Sequence, residues 1–189
     1  PNPGHLGLAD LEEMGILRSV ITQNIDDLHS QAGNTRVFEV HGNIYRFRCL
    51  NPKCGWKKKL KKEELLSRAR SVIDAEGGFE LASLINIMPR CKCGGMCRMD
   101  VVNFGEPVQE LMESYNEARS CDLMLILGTS GVVYPAAALP HEAKQAGARI
   151  IEINPNQNSF YSISDIYIKE KTGIAVPKIV SRVKEMISH

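Results

Sequence analysis

The chain has 189 residues, 43% of them hydrophobic and 24% charged, with a formal net charge of +1. That length fits one domain, or one domain with a small insert, able to bury roughly 70% of its unfolded surface. The near-neutral balance gives the molecule as a whole no electrostatic reason to seek nucleic acid or acidic lipid. No apolar run approaches the ~20 residues of a membrane span and no signal-peptide pattern is present, so a soluble, cytoplasmic protein is expected.

Leu6, Leu8, Leu11 and Met14 recur at helical spacing and Gly15 ends the run. Ser19 to Thr22 reads as a strand that stops abruptly in Gln23-Asn24-Ile25-Asp26-Asp27, followed by a short helix from Asp26 to Ala32. Val37 to Val40 reads as a second strand, delivering His41-Gly42. Strand ends in an α/β sheet point into the ligand crevice, so polar groups placed there serve binding or chemistry. Alone, His41 would read as a structural histidine. Beside Asn24 and Asp26 it becomes a candidate general base, because an unperturbed imidazole titrates at about 6.5. His5, His29 and His141 lie in or near helices and read as surface or capping residues.

Five of the six cysteines then fall into two clusters, Cys49-x4-Cys54 and Cys91-x-Cys93 with Cys97 four residues on. In a chain of this size that is a metal-ligand pattern rather than a disulfide framework. Two turns offering two thiolates each would make a structural zinc site at Cys49, Cys54, Cys91 and Cys93. Cys93-x3-Cys97 is a rival for the second half, because a single intervening residue chelates less comfortably. Cys121, just before an apolar strand, reads as a small core residue. The run Lys57-Lys58-Lys59-Leu60-Lys61-Lys62 reads as a solvated face, with nucleic-acid contact as the lesser alternative, and a helix follows it through Arg70.

From Val101-Val102-Asn103-Phe104-Gly105 onward, helices and strands alternate. Helices are expected at Glu106 to Arg119, Ala136 to Gly147 and Val176 to Ser188, the last opened by Pro177. Strands are expected at 123–127, 149–153 and 166–168. Fully apolar strands alternating with helices imply a Rossmann-like α/β fold, a parallel sheet with helices on both faces. Residues 45–100 interrupt it as a small zinc-binding module, leaving 1–44 and 101–189 to the sheet domain. Strand 123–127 runs into Gly128-Thr129-Ser130-Gly131, a turn with exposed amides and two hydroxyls, suited to phosphate or ribose. The next strand ends in Asn154-Pro155-Asn156, suited to a second ribose.

These pieces resemble, in order and spacing, the sirtuins, the NAD-dependent protein lysine deacylases. The resemblance rests on Gln23-Asn24-Ile25-Asp26, His41-Gly42, the cysteine clusters, Val101 to Glu106, Gly128-Thr129-Ser130 and Ile153-Asn154. The cysteine spacings, with Trp56 after the first pair, look most like bacterial-type members of the class that also removes acidic acyl groups. The resemblance implies a rossmannoid NAD-binding domain and structural zinc far from the chemistry. Asn24 and Asp26, with Gln23 and Ile25 beside them, would hold the nicotinamide ribose and carboxamide. His41 would be the general base. Gly128, Thr129, Ser130, Asn154 and Asn156 would line the adenosine and phosphate side, with Thr172 near the adenine. Phe104, Gly105 and Glu106, with Val132 and Val133, would clamp an acylated-lysine peptide as an added strand.

The implied reaction starts with attack of the acyl oxygen on C1′ of the nicotinamide ribose, expelling nicotinamide. His41 then promotes attack of the 2′-hydroxyl on the resulting imidate, and water releases lysine and O-acyl-ADP-ribose. Two features depart from the family pattern. Asn103 stands where members usually carry tryptophan, and no counterpart of the family's opening strand and Gly-Ala-Gly-x-Ser loop is found. Since the first residue is Pro1 rather than Met, the chain reads as processed, truncated or a fragment. Residues 1–189 alone are therefore expected to bind NAD weakly and be catalytically silent. Mono-ADP-ribosyl transfer on the same fold and a non-catalytic zinc-containing binding module are the competing readings.

Overall fold

The computed structural model describes residues 1–76 and 86–188. Residues 77–85 of the expected zinc module lie outside the described residues. The chain forms two compact units, one of residues 1–23, 28–40 and 108–189, the other of 24–27 and 41–107.

In the first unit, helix α1 (Pro3–Glu13) begins earlier than its apolar spacing suggests, because Asn2 caps it. The Asn2 side chain accepts from the Gly4 and His5 amides at 2.9 and 3.2 Å, and Pro3 supplies a preset φ in the first turn. Strands β1 (Val20–Thr22) and β2 (Val37–Glu39) pair in parallel around the short helix α2 (Leu28–Ala32). A second parallel set comprises β6 (Leu123–Leu127), β7 (Arg149–Ile153) and β8 (Ile166–Ile168), in that order. Helices α4 (Leu111–Arg119), α5 (Leu139–Gln145) and α6 (Thr172–Ile187) complete the unit.

The apolar strands are explained by what covers them. Ile126 and Ile150 pack with Ala118 of α4, Leu139 and Ala143 of α5, and Phe160. On the other face, Ile153 is buried with Leu8 and Leu11 of α1 and with Val176 and Val180 of α6. Each fully buried Ile, Leu, Val or Phe side chain among these contributes about 1.5–3 kcal/mol. Ile21 of β1 packs against the first cluster, and Ser19 and Arg36 both bond the nearly buried Glu117 carboxylate of α4.

Other helix boundaries also differ from expectation, and α2 begins at Leu28 rather than Asp26. The helix expected from Glu106 begins at Leu111, because Glu110 adopts a left-handed backbone at φ 49°. The expected 136–147 helix is a 3-10 turn at Ala136–Ala138 followed by α5, with Pro140 in its first turn. Helix α6 starts at Thr172 rather than Val176, with Pro177 inside it. Pro177 cannot donate to Gly173, a loss offset by burial of Val176 and Val180 against α1.

The second unit centres on a three-stranded antiparallel sheet in the order β4 (Lys57–Lys59), β3 (Gly42–Cys49), β5 (Cys97–Val101). Phe47 and Leu60 are its buried centre, and α3 (Lys62–Glu76) follows β4. Lys57 and Arg46 bond Asp100, which is 1% exposed. Burial alone would raise that carboxyl, but the two cations outweigh it and hold it below the usual range.

Asp165, ahead of β8, gives the fold a pH dependence. Lys144 bonds it at 2.7 Å, the Ile150 amide at 2.8 Å and Arg149 at 3.2 Å. The Lys144 bond first, then the Ile150 amide, hold its carboxyl at about 2. Because the folded value lies below the unfolded one of about 3.9, this contribution is full above the unfolded value. It is lost as pH falls through the folded one. Melting temperatures of wild type and Asp165→Asn are expected to differ at neutral pH and to converge as pH approaches 2. Parallel curves across that range would contradict this.

Candidate functional site

In the second unit, polar residues gather where β3 begins. The Ile25 carbonyl accepts from the Ile44 amide at 2.9 Å, which fixes Asn24–Asp27 beside the strand. Asp27 anchors the same segment: its carboxylate accepts from Asn43 Nδ2 at 2.8 Å and pairs with Lys59. Asp27 has φ 65°, an unusual backbone for a non-glycine residue, which these bonds hold in place. Sequence reasoning missed Asp27; its only local signal is the doubled aspartate after Ile25.

His41 sits in the turn leading from β2 into β3, and its carbonyl accepts from the Val102 amide at 2.9 Å. The next residue, Gly42, pairs with Val101 and has φ 83°, with an added Cβ only 1.9 Å from the Asp100 carbonyl oxygen. Glycine is therefore required immediately after His41. Phe104 and Gly105 follow β5, with the Phe104 side chain fully exposed. Glu106 is held by Arg98 and by the Asn103 amide, which lower its carboxyl. Asn24, Ile25, Asp26, His41 and Phe104 to Glu106 thus belong to one unit, around one end of the β3–β5 ladder.

In the first unit a second group forms at the carboxyl ends of β6 and β7. Gly128 (φ 57°) donates its amide to the Ile153 carbonyl at 3.1 Å, so the turn after β6 is tied to the end of β7. Asn154 Nδ2 donates to the Thr129 carbonyl at 2.7 Å. Thr172, at the start of α6, has its hydroxyl 3.7 Å from where a Gly128 Cβ would stand. Gly128, Thr129, Ser130, Asn154 and Thr172 are therefore close neighbours. The Asn156 amide donates to Asn154 Oδ1 at 3.3 Å, and its own side chain is exposed. Val132 and Val133 follow the turn and are exposed, and Gln23 belongs to this unit at the end of β1.

The thiols of Cys49, Cys54, Cys91 and Cys93 form a third group, with all four sulfurs within 4.8 Å of one another. Cys49 and Cys93 sulfurs are 3.5 Å apart, Cys54 and Cys91 sulfurs 3.4 Å. Four thiolates at ~2.3 Å from a tetrahedral zinc would stand about 3.8 Å apart, so the donor set fits that ion. The Asn51 amide donates to Cys49 and the Gly95 amide to Cys93. The Gly95 bond and the adjoining Cys91 and Cys49 thiols lower Cys93 to about 7. In Cys49 the Asn51 bond is outweighed by burial and by the neighbouring thiols, which push it up to about 12. Sulfurs this close resist joint ionisation unless a cation accompanies them. A Cβ on Gly95 would stand 2.8 Å from Cys49 Sγ, so the cradle admits no side chain there. Cys97 lies outside this four-sulfur group, in β5 opposite Cys49. Cys121 donates to the Ala118 carbonyl at 3.2 Å and packs against the first core cluster. Among the described residues, no helix is long and apolar enough to cross a membrane.

The Sir2 family model matches residues 1–135. An NAD-dependent protein deacylase of Desulfosudis oleivorans is 53% identical over 189 residues, covering 100% of this chain and 68% of that protein. One of the same description from Thermococcus kodakarensis is 41% identical over 191 residues, with the same coverage of 100% and 68%. Among solved structures, a Sir2 homolog–NAD complex superposes with a TM-score of 0.81 at 34% identity, covering 99% of this chain and 66% of that one. A Sir2 protein bound to a myristoylated histone peptide superposes at 0.76 with 40% identity, covering 100% and 74%.

Proposed function

The chain belongs to the Sir2 family, and from that premise we propose how its residues serve NAD-dependent removal of acyl groups from protein lysines. The observation that carries the reading is the gathering of Asn24–Asp26, His41 and Phe104–Glu106 about the start of β3. An amide and a carboxylate suited to a ribose and a carboxamide then share a unit with one imidazole. A purely structural role leaves that combination without a purpose.

NAD supplies the nicotinamide leaving group and the ribose that takes the acyl group. Asn24 and Asp26, with Gln23 and Ile25, orient the nicotinamide ribose and carboxamide. His41 accepts the proton from the ribose hydroxyl as that oxygen attacks, a role that requires neutral imidazole. The Gly128-Thr129-Ser130 turn with Asn154, Asn156 and Thr172 holds the adenosine and phosphate side. Phe104, Gly105, Glu106, Val132 and Val133 receive the acyl-lysine segment by backbone pairing. Arg98 engages the Glu106 carboxylate, so we assign Glu106 to shaping its loop rather than to proton transfer. Cys49, Cys54, Cys91 and Cys93 hold one structural zinc, since four thiolates leave no position for substrate.

The test is deacylation of an acetyl-lysine peptide by the complete gene product, followed as free lysine and O-acyl-ADP-ribose. Both products are expected in equal amounts and only with NAD. Lysine released without NAD would overturn the reading.

A further inference from the structure

Two side chains from the segment after β7 converge on one oxygen of the Gly128–Gly131 turn. Asn154 Nδ2 donates to the Thr129 carbonyl at 2.7 Å, and Asn158 Nδ2 donates to the same carbonyl at 2.6 Å. The orientation of each amide follows from its other end. Asn154 Oδ1 accepts from the Asn156 amide at 3.3 Å, and Asn158 Oδ1 from the Phe160 amide at 2.8 Å. One residue on, the Ser159 hydroxyl donates to the Gly131 carbonyl at 3.0 Å.

The donors of the turn are disposed the other way. Gly128 N–H goes to Ile153 and Gly131 N–H to the Thr129 hydroxyl oxygen. Among the described residues, the Thr129 and Ser130 amides have no acceptor. With the Thr129 and Gly131 carbonyls engaged and two amides spare, the turn offers the backbone donors that phosphate and ribose oxygens require. There is no slack in it. A Cβ on Gly131 would stand 2.2 Å from Ser159 Oγ and 2.6 Å from the Phe160 ring. Below, Ser164 ties the segment down by bonding the Phe160 carbonyl at 2.9 Å and the buried Glu152 carboxyl at 3.2 Å.

We propose that Asn158 is a positioning residue for the adenosine and phosphate end of NAD. With Asn154 it covers the Thr129 carbonyl, removing a repulsive oxygen and fixing the direction of the Ser130 amide, which shares that peptide plane. This rests on the NAD-dependent reading above. Asparagine suits the position because it donates to the turn and accepts from Phe160 at once. Aspartate keeps the shape but turns the donor into a second negative oxygen facing the carbonyl.

The test compares wild type, Asn158→Ala and Asn158→Asp as complete gene products, by steady-state kinetics, ADP-ribose titration and melting temperature. Asn158→Ala should raise KM for NAD about tenfold, as expected for one lost well-placed hydrogen bond. Its kcat and its KM for acyl peptide should stay within about twofold. Asn158→Asp should lose more, and weaken ADP-ribose binding in parallel. Wild-type turnover combined with unchanged KM for NAD in both variants overturns the inference alone. So does an equal fall in kcat and in melting temperature without a KM change, which marks a merely structural residue. A wild-type protein that neither turns over NAD nor binds ADP-ribose overturns the NAD reading, and this inference with it.

Discussion

His41→Ala is expected to lower NAD-dependent deacylation by about 10²–10⁴-fold, the usual cost of removing a general base. One bond of His41 to the β3–β5 ladder is made by its backbone carbonyl, which accepts from Val102, and alanine keeps that bond. The side chain is only half-buried, so little packing is lost with it. Melting temperature and far-ultraviolet circular dichroism should therefore stay close to wild type while turnover collapses. Substantial residual turnover with NAD and an acetyl-lysine peptide would show His41 to be structural.

Cys49→Ala has the largest expected effect on the fold. Zinc–thiolate binding in a small module is itself folding free energy, on the order of 10 kcal/mol, and among the described residues the apolar interior of this unit centres on Phe47 and Leu60. Elemental analysis is expected to find one zinc per chain in wild type and a clear deficit in the variant. Limited proteolysis is then expected to cut faster within residues 45–76 and 86–100 of the variant than of wild type. A wild-type protein without zinc, or a variant with undiminished protease resistance there, would contradict the assignment.

Strands 123–127, 149–153 and 166–168 were legible because each is apolar along most of its length. The structure shows why: α4 and α5 cover one face of β6–β7, and α1 and α6 the other. Boundaries set by something other than apolar spacing were not legible. Asn2 extends α1 through a hydrogen bond, and Thr172 to Ile174 form the first turn of α6 before its buried face begins. Pro177 pointed to a helix start, yet packing holds it inside one. The cysteine spacing left Cys97 open as a rival. In the fold, Cys97 lies in β5 while Cys91 and Cys93 lie before that strand, and the four clustered sulfurs exclude it.

The candidate site divides the same way. The strand-end residues Asn24, Asp26, His41 and Gly128 to Ser130 were visible as polar interruptions of apolar runs. Asp27 and Asn158 were not, because their significance lies in bonds to Asn43, Lys59 and Thr129, sixteen to thirty-two residues away in the chain. Glu152 was hidden too. It sits in an otherwise apolar strand, fully buried, its carboxyl raised by burial and only partly relieved by Ser164. Nothing in the spacing of Arg149 to Ile153 marks it.

The most direct measurement is nicotinamide release from NAD by the complete gene product, with and without an acyl-lysine peptide. Release is expected to depend on the peptide and to match O-acyl-ADP-ribose one to one. Absence of release under both conditions would contradict catalysis altogether. Release that ignores the peptide and leaves ADP-ribose attached to protein would replace deacylation with ADP-ribosyl transfer.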